Sequence, residues 1–294
     1  MSVSQIFRDF CSNIVIGTTL RSSIAYRVGR MVRCLNEDFR DSTSDTANSF
    51  YAGSYGRNTG IPSVSDIDTI FSLPWSTYTQ YSAHLGNGQS ALLQAMRASV
   101  RRTYPSSEIS ADGQVIVVQF NDNIKVEILG AFHSSIDGSY TFPDSNNGGS
   151  WRKCKPKHEL AEFSSRDSGC NGNLVQLGRM ARAWRDYNSV PMSGMLIDTL
   201  AYQFLASWEY REKSHTYYDW MVRDFFAYLG SLDAGKSYWL APGSGSYVWK
   251  TGSFQAKAKA AYSISLVAIA HLEKNEFWSA KYEFRRIFGH AFPN

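Results

Sequence analysis

Apolar side chains recur at three- and four-residue steps near the start of the chain, at Ile16, Leu20, Ile24, Val28, Val32 and Leu35. That spacing predicts helix over most of residues 3–46, with one stripe facing a core, and a helix long enough to brace more than one lobe. Residues 51–60 are rich in Gly, Ser and Asn and read as a loop. Residues 64–73 read as a strand, with β-branched Ile67 and Ile70 inside it and Pro74 ending it. Leu92, Leu93, Met96 and Val100 place an amphipathic helix over 90–104. A hairpin follows, 115–120 and 124–129, joined by Asn121-Asp122-Asn123, residues that tolerate positive φ. In its second strand Ile124, Val126 and Ile128 share one face, while Lys125, Glu127 and Leu129 share the other.

Residues 137–150 are Gly-, Ser-, Asn-, Asp- and Pro-rich without periodicity, which predicts a surface loop and a lobe boundary. The expected division is therefore 1–150 and 151–294. Beyond Trp151 the pattern turns helical, with helices near 172–187, 193–212, 217–229 and 254–288, the last split near Asn275. No internal repeat is present. The fold class is α/β (α+β): an N-terminal lobe with a mixed β-sheet and a long helix, then an all-α C-terminal lobe.

Composition narrows the class. The chain has 294 residues, is 43% hydrophobic and 14% aromatic, and has ample material for one or two cores. The longest apolar runs, 115–118 and 266–270, fall far short of the ~20 residues of a membrane-spanning helix. The opening MSVSQIFRDF carries charge early and has no basic head before an apolar stretch, so no signal peptide is expected. Cys11, Cys34, Cys154 and Cys170 are far apart and form no CxxC pair, which points to a reducing, cytoplasmic setting. Between Trp151 and Arg185 eight basic residues (Arg152, Lys153, Lys155, Lys157, Arg166, Arg179, Arg182, Arg185) face three acidic ones. That excess suits an anionic ligand, a phosphate-rich small molecule or nucleic acid; a solvated basic helix face has the same composition.

The most informative stretch is Gly53-Ser54-Tyr55-Gly56-Arg57-Asn58-Thr59, followed by Asp66-Ile67-Asp68. Gly53 and Gly56 let backbone approach an anion, and Ser54 offers an N–H and a hydroxyl to a phosphate. Asp66 and Asp68, two apart on a strand, leave the same face and repel each other unless a divalent cation balances them; oxygen ligands near phosphate suit Mg²⁺. Surface aspartates after a Gly/Ser turn are the plainer reading. Glu127 is costly to bury unpaired in an apolar strand. It either lies exposed on an edge or joins Asp66 and Asp68 around a metal. Three weaker patterns count for less. Cys154, His158 and Cys170 offer only three zinc ligands. Tyr202, Trp208 and Tyr210 at helical spacing suit a core more than a base-stacking platform. His215, His271 and His290 lack a nucleophile partner.

Gly53-Ser54, the Asp66/Asp68 strand and the later strand acid resemble the polymerase-β-type nucleotidyltransferases. The loop Gly148-Gly149-Ser150-Trp151, the helix Arg179-Met180-Ala181-Arg182-Ala183-Trp184 and the ending Ile287-Phe288-Gly289-His290-Ala291-Phe292-Pro293 narrow the resemblance to the bacterial cGAS/DncV-like nucleotidyltransferases. It covers nearly the whole chain. It implies a nucleotidyltransferase lobe and a helical lobe with the active site in the cleft between, in a bacterial cytoplasmic enzyme. The implied activity is condensation of NTPs, ATP and/or GTP, into a cyclic di- or trinucleotide second messenger of antiphage (CBASS) signalling, with release of pyrophosphate. The same resemblance implies two Mg²⁺ ions, replaceable by Mn²⁺, on Asp66, Asp68 and Glu127 as the catalytic residues. It further implies nucleotide or phosphate contacts from Gly53, Ser54, Arg57, Arg182 and Ser193, and operon-encoded regulatory proteins as partners. Glu127 stands where the family usually has aspartate, Arg182 where many relatives have lysine, and Ala52 where a glutamine is common. No zinc thumb or arginine-rich tail is present, which weighs against a nucleic-acid activator. The alternative activity is template-independent transfer of one NMP to a protein, an RNA end or a small molecule. A silent nucleotide- or RNA-binding module is a third reading, and intact Ser54, Asp66 and Asp68 count against it.

Overall fold

A computed structural model of the chain describes every residue except Ser65, and Asp112 through its backbone only. Instead of one long N-terminal helix it has two, α1 (Val3–Asn13) and α2 (Thr18–Phe39). Between them Ile14, Val15 and Ile16 are β-branched and resist helix, and Gly17 takes an extended conformation (φ −66°, ψ 161°) as the cap of α2. The break separates two compact units. One comprises Met1–Ile16, Arg57–Pro62 and Ala161–Asn294; the other comprises Gly17–Gly56 and Ser63–Leu160. The division differs from the expected 1–150 and 151–294, because α1 and the short segment after Gly56 cluster with the C-terminal helices.

The second unit continues from α2 through β1 (Ser49–Tyr51), α3 (Gly53–Gly56), β2 (Asp66–Ser72), α4 (Trp75–Ser82) and α5 (Gly88–Thr103). It then adds β3 (Glu108–Asp112), β4 (Val115–Gln119), β5 (Lys125–His133), β6 (Tyr140–Asp144) and β7 (Ser150–Cys154). Among the described residues these strands form one seven-stranded mixed sheet with the path β1-β2-β5-β4-β3, extended from β5 through β6 to β7. Only β2 and β5 run parallel within it. The hairpin read from the sequence is β4–β5, in a register that sets Val117 opposite Glu127. Odd-numbered β2 residues Ile67 and Phe71 join even-numbered β5 residues Val126 and Ile128 in a core with Val28, Val32 and Leu35 of α2 and Leu92, Met96 and Val100 of α5. The opposite face carries a smaller cluster of Ala52, Ile70, Ala131, Tyr140 and Phe142.

The predicted loop 137–150 and its lobe boundary do not hold. Residues Tyr140–Asp144 form β6, buried at every position and paired on both sides. A strand buried on both faces shows no alternation, and Pro143 disguised it further.

Helix α6 (Pro156–Gly169) leads into the first unit, which contains α7 (Asn173–Asn188), α8 (Gly194–Ser207), α9 (Tyr218–Ser231), α10 (Gln255–Glu273) and α11 (Phe277–Phe288). The turn between α10 and α11 holds Asn275 at φ 60°, where the pattern predicted a split. This unit is not purely helical. A two-stranded hairpin, β8 (Tyr238–Leu240) and β9 (Tyr247–Trp249), was too short to register as a period. Helix α1 docks through Phe7 and Phe10, whose rings lie 5.2 Å from Phe284 and 4.7 Å from Phe288. Aromatic pairs of this kind add to the burial of their large surfaces.

Candidate active site

The site is built where β1 turns into β2. Gly53 opens α3 at φ 56°, and a Cβ there would stand 1.7 Å from Asp68 Oδ2. Only glycine lets the turn come that close to the carboxylate. A Cβ on Gly56 would meet Tyr51 O at 2.4 Å, so the second glycine is fixed by the return of the chain on β1. The Gly56 N–H donates to Ala52 O at 2.7 Å, and Ala52 N–H donates to Asp68 O at 2.9 Å. Ser54 therefore sits on a turn stitched directly to the strand that carries the aspartates.

On β2, Ile67 is fully buried while Asp66 is exposed and Asp68 half-buried, as strand alternation requires. The parallel register pairs Asp66 with Lys125 and Asp68 with Glu127. Residues opposite each other in a sheet leave the same face, so Asp66, Asp68, Lys125 and Glu127 share one surface. Beyond them that face becomes apolar at Ile70, Leu129 and Ala131. The Lys125 ammonium lies 2.7 Å from Glu127 Oε1 and 3.2 Å from Asp66 Oδ1. Its hydrogen bond to Glu127 holds its pKa above the ordinary lysine value against the opposing effect of burial, with a lesser contribution from the hydrogen bond to Asp66.

The donor set suits a hard divalent cation: carboxylates from two adjacent strands, with two of them already drawn to a positive charge. Among the described residues no three acidic, histidine or cysteine side chains gather closely enough to hold a metal ion, and Lys125 stands between two of the three acids. The weaker zinc pattern is dispersed. Cys154 turns its thiol to Tyr140 O at 3.8 Å, and burial pushes that thiol up to about 12. Cys170 belongs to the core of the other unit.

Three residues expected at the nucleotide belong to the other unit and have protein partners there. Arg182 is 3% exposed, and its guanidinium donates to Asp198 Oδ1 and Oδ2 at 2.6 and 2.8 Å and to the carbonyls of Gly178 and Gly194, both at 3.1 Å. Such a committed group has little left for a triphosphate. Arg57, also buried, donates through Nε to Asp198 Oδ2 at 2.8 Å, and the Thr59 hydroxyl reaches the same oxygen at 3.1 Å. Ser193 is the N-cap of α8, its hydroxyl accepting from Leu196 N–H. The basic segment is likewise divided: Arg179 is buried with Nε on Asn58 O, Arg166 lies over the Tyr202 ring, and Arg185 pairs with Asp186. Tyr202, Trp208 and Tyr210 pack with the helical core, as their spacing suggested.

Two residues were given no role by the sequence reading. Lys125 lies two residues before Glu127 and so had to share its face. Asp198 is a lone acid in the apolar run of α8, the same signal that drew attention to Glu127. Burial alone would raise the Asp198 pKa, but Arg182 and Arg57 outweigh it and hold the carboxyl low.

Residues 1–167 match the model of the Second Messenger Oligonucleotide or Dinucleotide Synthetase domain. No curated protein sequence matches the chain significantly. Among solved structures, the chain is similar to E. coli CdnC in its HORMA-deltaN complex, at 14% identity and TM-score 0.68, with 99% of this chain and 98% of that one covered. The Bradyrhizobium diazoefficiens CD-NTase CdnG in complex with GTP gives 13% identity and TM-score 0.65 over 98% and 96%. Vibrio cholerae DncV cyclic AMP-GMP synthase with nonhydrolyzable GTP gives 14% and 0.65 over 96% and 93%. At such identities these likenesses establish the fold, and no helix among the described residues is long and apolar enough to cross a membrane. By its domain match over more than half its length, the chain belongs to the family of second messenger oligonucleotide or dinucleotide synthetases and is a nucleotidyltransferase of the cGAS/DncV-like kind.

Proposed function

We propose that the protein condenses ATP and/or GTP into a cyclic di- or trinucleotide, releasing pyrophosphate, on the face that carries Asp66, Asp68 and Glu127. The observation that carries this reading is the parallel register setting Asp68 beside Glu127, next to a glycine turn that only Gly53 permits. Those three carboxylates would hold two Mg²⁺ ions, or Mn²⁺ in their place. When bound, such ions activate a ribose hydroxyl as nucleophile and neutralise the charge that develops on the phosphates. Ser54 and the N–H groups of its turn receive the donor's phosphate oxygens, and Gly53 keeps the turn against Asp68 so that phosphate and carboxylates stay in register. Arg57, which follows the turn in the chain, and Arg182 are both held by Asp198. Ser193 supports them by capping the helix that bears Asp198.

A cyclic product, a role in antiphage signalling within bacterial cytoplasm, and control by an operon-encoded protein form one reading. It is supported by the domain match and by likeness to a CdnC solved with a HORMA partner and with ATP. The test is incubation with Mg²⁺ and the four NTPs, followed by phosphatase and mass spectrometry. A phosphatase-resistant product with the mass of a cyclic oligonucleotide is expected. Nucleotide found only on protein, RNA ends or a small acceptor would favour single-nucleotide transfer instead.

A further inference from the structure

The acid face carries its own cation. Lys125 is not an incidental surface lysine: β2–β5 register fixes its Cα opposite Asp66, and its strand places it two residues from Glu127. From there one ammonium reaches both carboxylates, at 3.2 and 2.7 Å. Neighbouring carboxylates on a sheet repel, and a lysine is a compact point charge on a flexible stem that can occupy such a position and also leave it. The side chains are 31%, 54% and 27% exposed for Lys125, Asp66 and Glu127, so the pairs are open to solvent and exchangeable rather than locked.

We propose that Lys125 is a built-in counter-ion of the site, which neutralises Asp66 and Glu127 when no metal is bound and competes with the divalent cation for them. This rests on the reading that Asp66, Asp68 and Glu127 are the metal-holding set. Lys125 is thus a positioning residue. It offsets the repulsion within the acid face while metal-free, and it weakens metal binding so that the site fills more readily when another group, such as a nucleotide's phosphates, adds its own oxygens. Lys125 needs no bond making or breaking for this, only exchange of ion pairs.

Binding of Mn²⁺ alone to the full chain, followed by electron paramagnetic resonance, separates the possibilities. Lys125→Met should bind Mn²⁺ about fivefold more tightly than wild type, the scale of a partly exposed ion pair. Lys125→Arg should stay close to wild type. In EDTA, Lys125→Met should melt below wild type, and saturating Mn²⁺ should close that gap. If Asp68→Ala abolishes binding but wild type and Lys125→Met bind equally, the counter-ion role is overturned while the metal-site reading stands. Mn²⁺ binding unaffected by Asp68→Ala overturns both.

Discussion

Asp68 and Glu127 stand opposite each other across the parallel β2–β5 pair, so the two strands contribute carboxylates to the same face. The pairing depends on two unrelated stretches of chain, a loop-led strand and the second arm of a hairpin. Everything proposed for the site follows from that register.

Gly53→Ala should abolish turnover with modest effect on the sheet core. The added Cβ would overlap the Asp68 carboxylate and hold an unfavourable φ of 56°. Synthesis rates should fall more than about 100-fold, with circular dichroism unchanged. Normal kinetics in Gly53→Ala would show that Asp68 need not stand against the turn.

Glu127→Gln keeps the shape and removes the charge. Nucleotide binding, read by equilibrium dialysis with ATP, should persist while product formation drops by about 100-fold or more. Glu127→Asp, which restores the residue usual in the family, should retain measurable activity. A Glu127→Gln variant as active as wild type would remove Glu127 from the metal set.

Asp198 should matter for stability more than for nucleotide affinity. Asp198→Ala leaves Arg57 and Arg182 buried without their partner, a loss of about 3–5 kcal/mol in denaturant unfolding. Arg182→Ala should likewise lower Tm, and Ser193→Ala should cost about 1 kcal/mol as a lost cap. Because the Asp198 carboxyl is held below its ordinary value, its stabilisation is complete above about pH 4 and is lost as acid protonates it. A raised KM for NTP in Arg182→Ala with unchanged Tm would return Arg182 to the triphosphate.

Asp219 in α9 is a buried acid with one oxygen, Oδ1, unsatisfied, and burial pushes its pKa up to about 6. The folded state therefore holds this proton more tightly than the unfolded chain, and stability declines as pH rises from about 4 to 6. Asp219→Asn should stabilise the protein above pH 6 by up to roughly 3 kcal/mol, at about 1.4 kcal/mol per pH unit. The gain should vanish near pH 4, read by urea unfolding at both pH values. Equal gains at both would exclude a charge effect.

The hairpin, the β2 strand and the C-terminal helices were legible because each presents one apolar face to a core at a regular period. β6 was not, since burial on both sides erases alternation, and the break at Ile14–Gly17 is hidden inside an apolar stripe that continues across it. Of the site, the common face of Asp66 and Asp68, and that of Lys125 and Glu127, could be read because strand alternation sets it. The partner of Arg182 could not. A basic residue on a helix looks the same in sequence whether it meets a ligand or a buried acid 16 residues later, and only packing reveals Asp198.

Pyrophosphate release from mixed NTPs with Mg²⁺, compared between wild type and Asp68→Ala of matching circular dichroism and Tm, tests the central claim most directly. The rate should fall by about 1,000-fold or more in the variant, because the carboxylate that meets Glu127 across the sheet is gone. Turnover near the wild-type rate in Asp68→Ala would contradict the account.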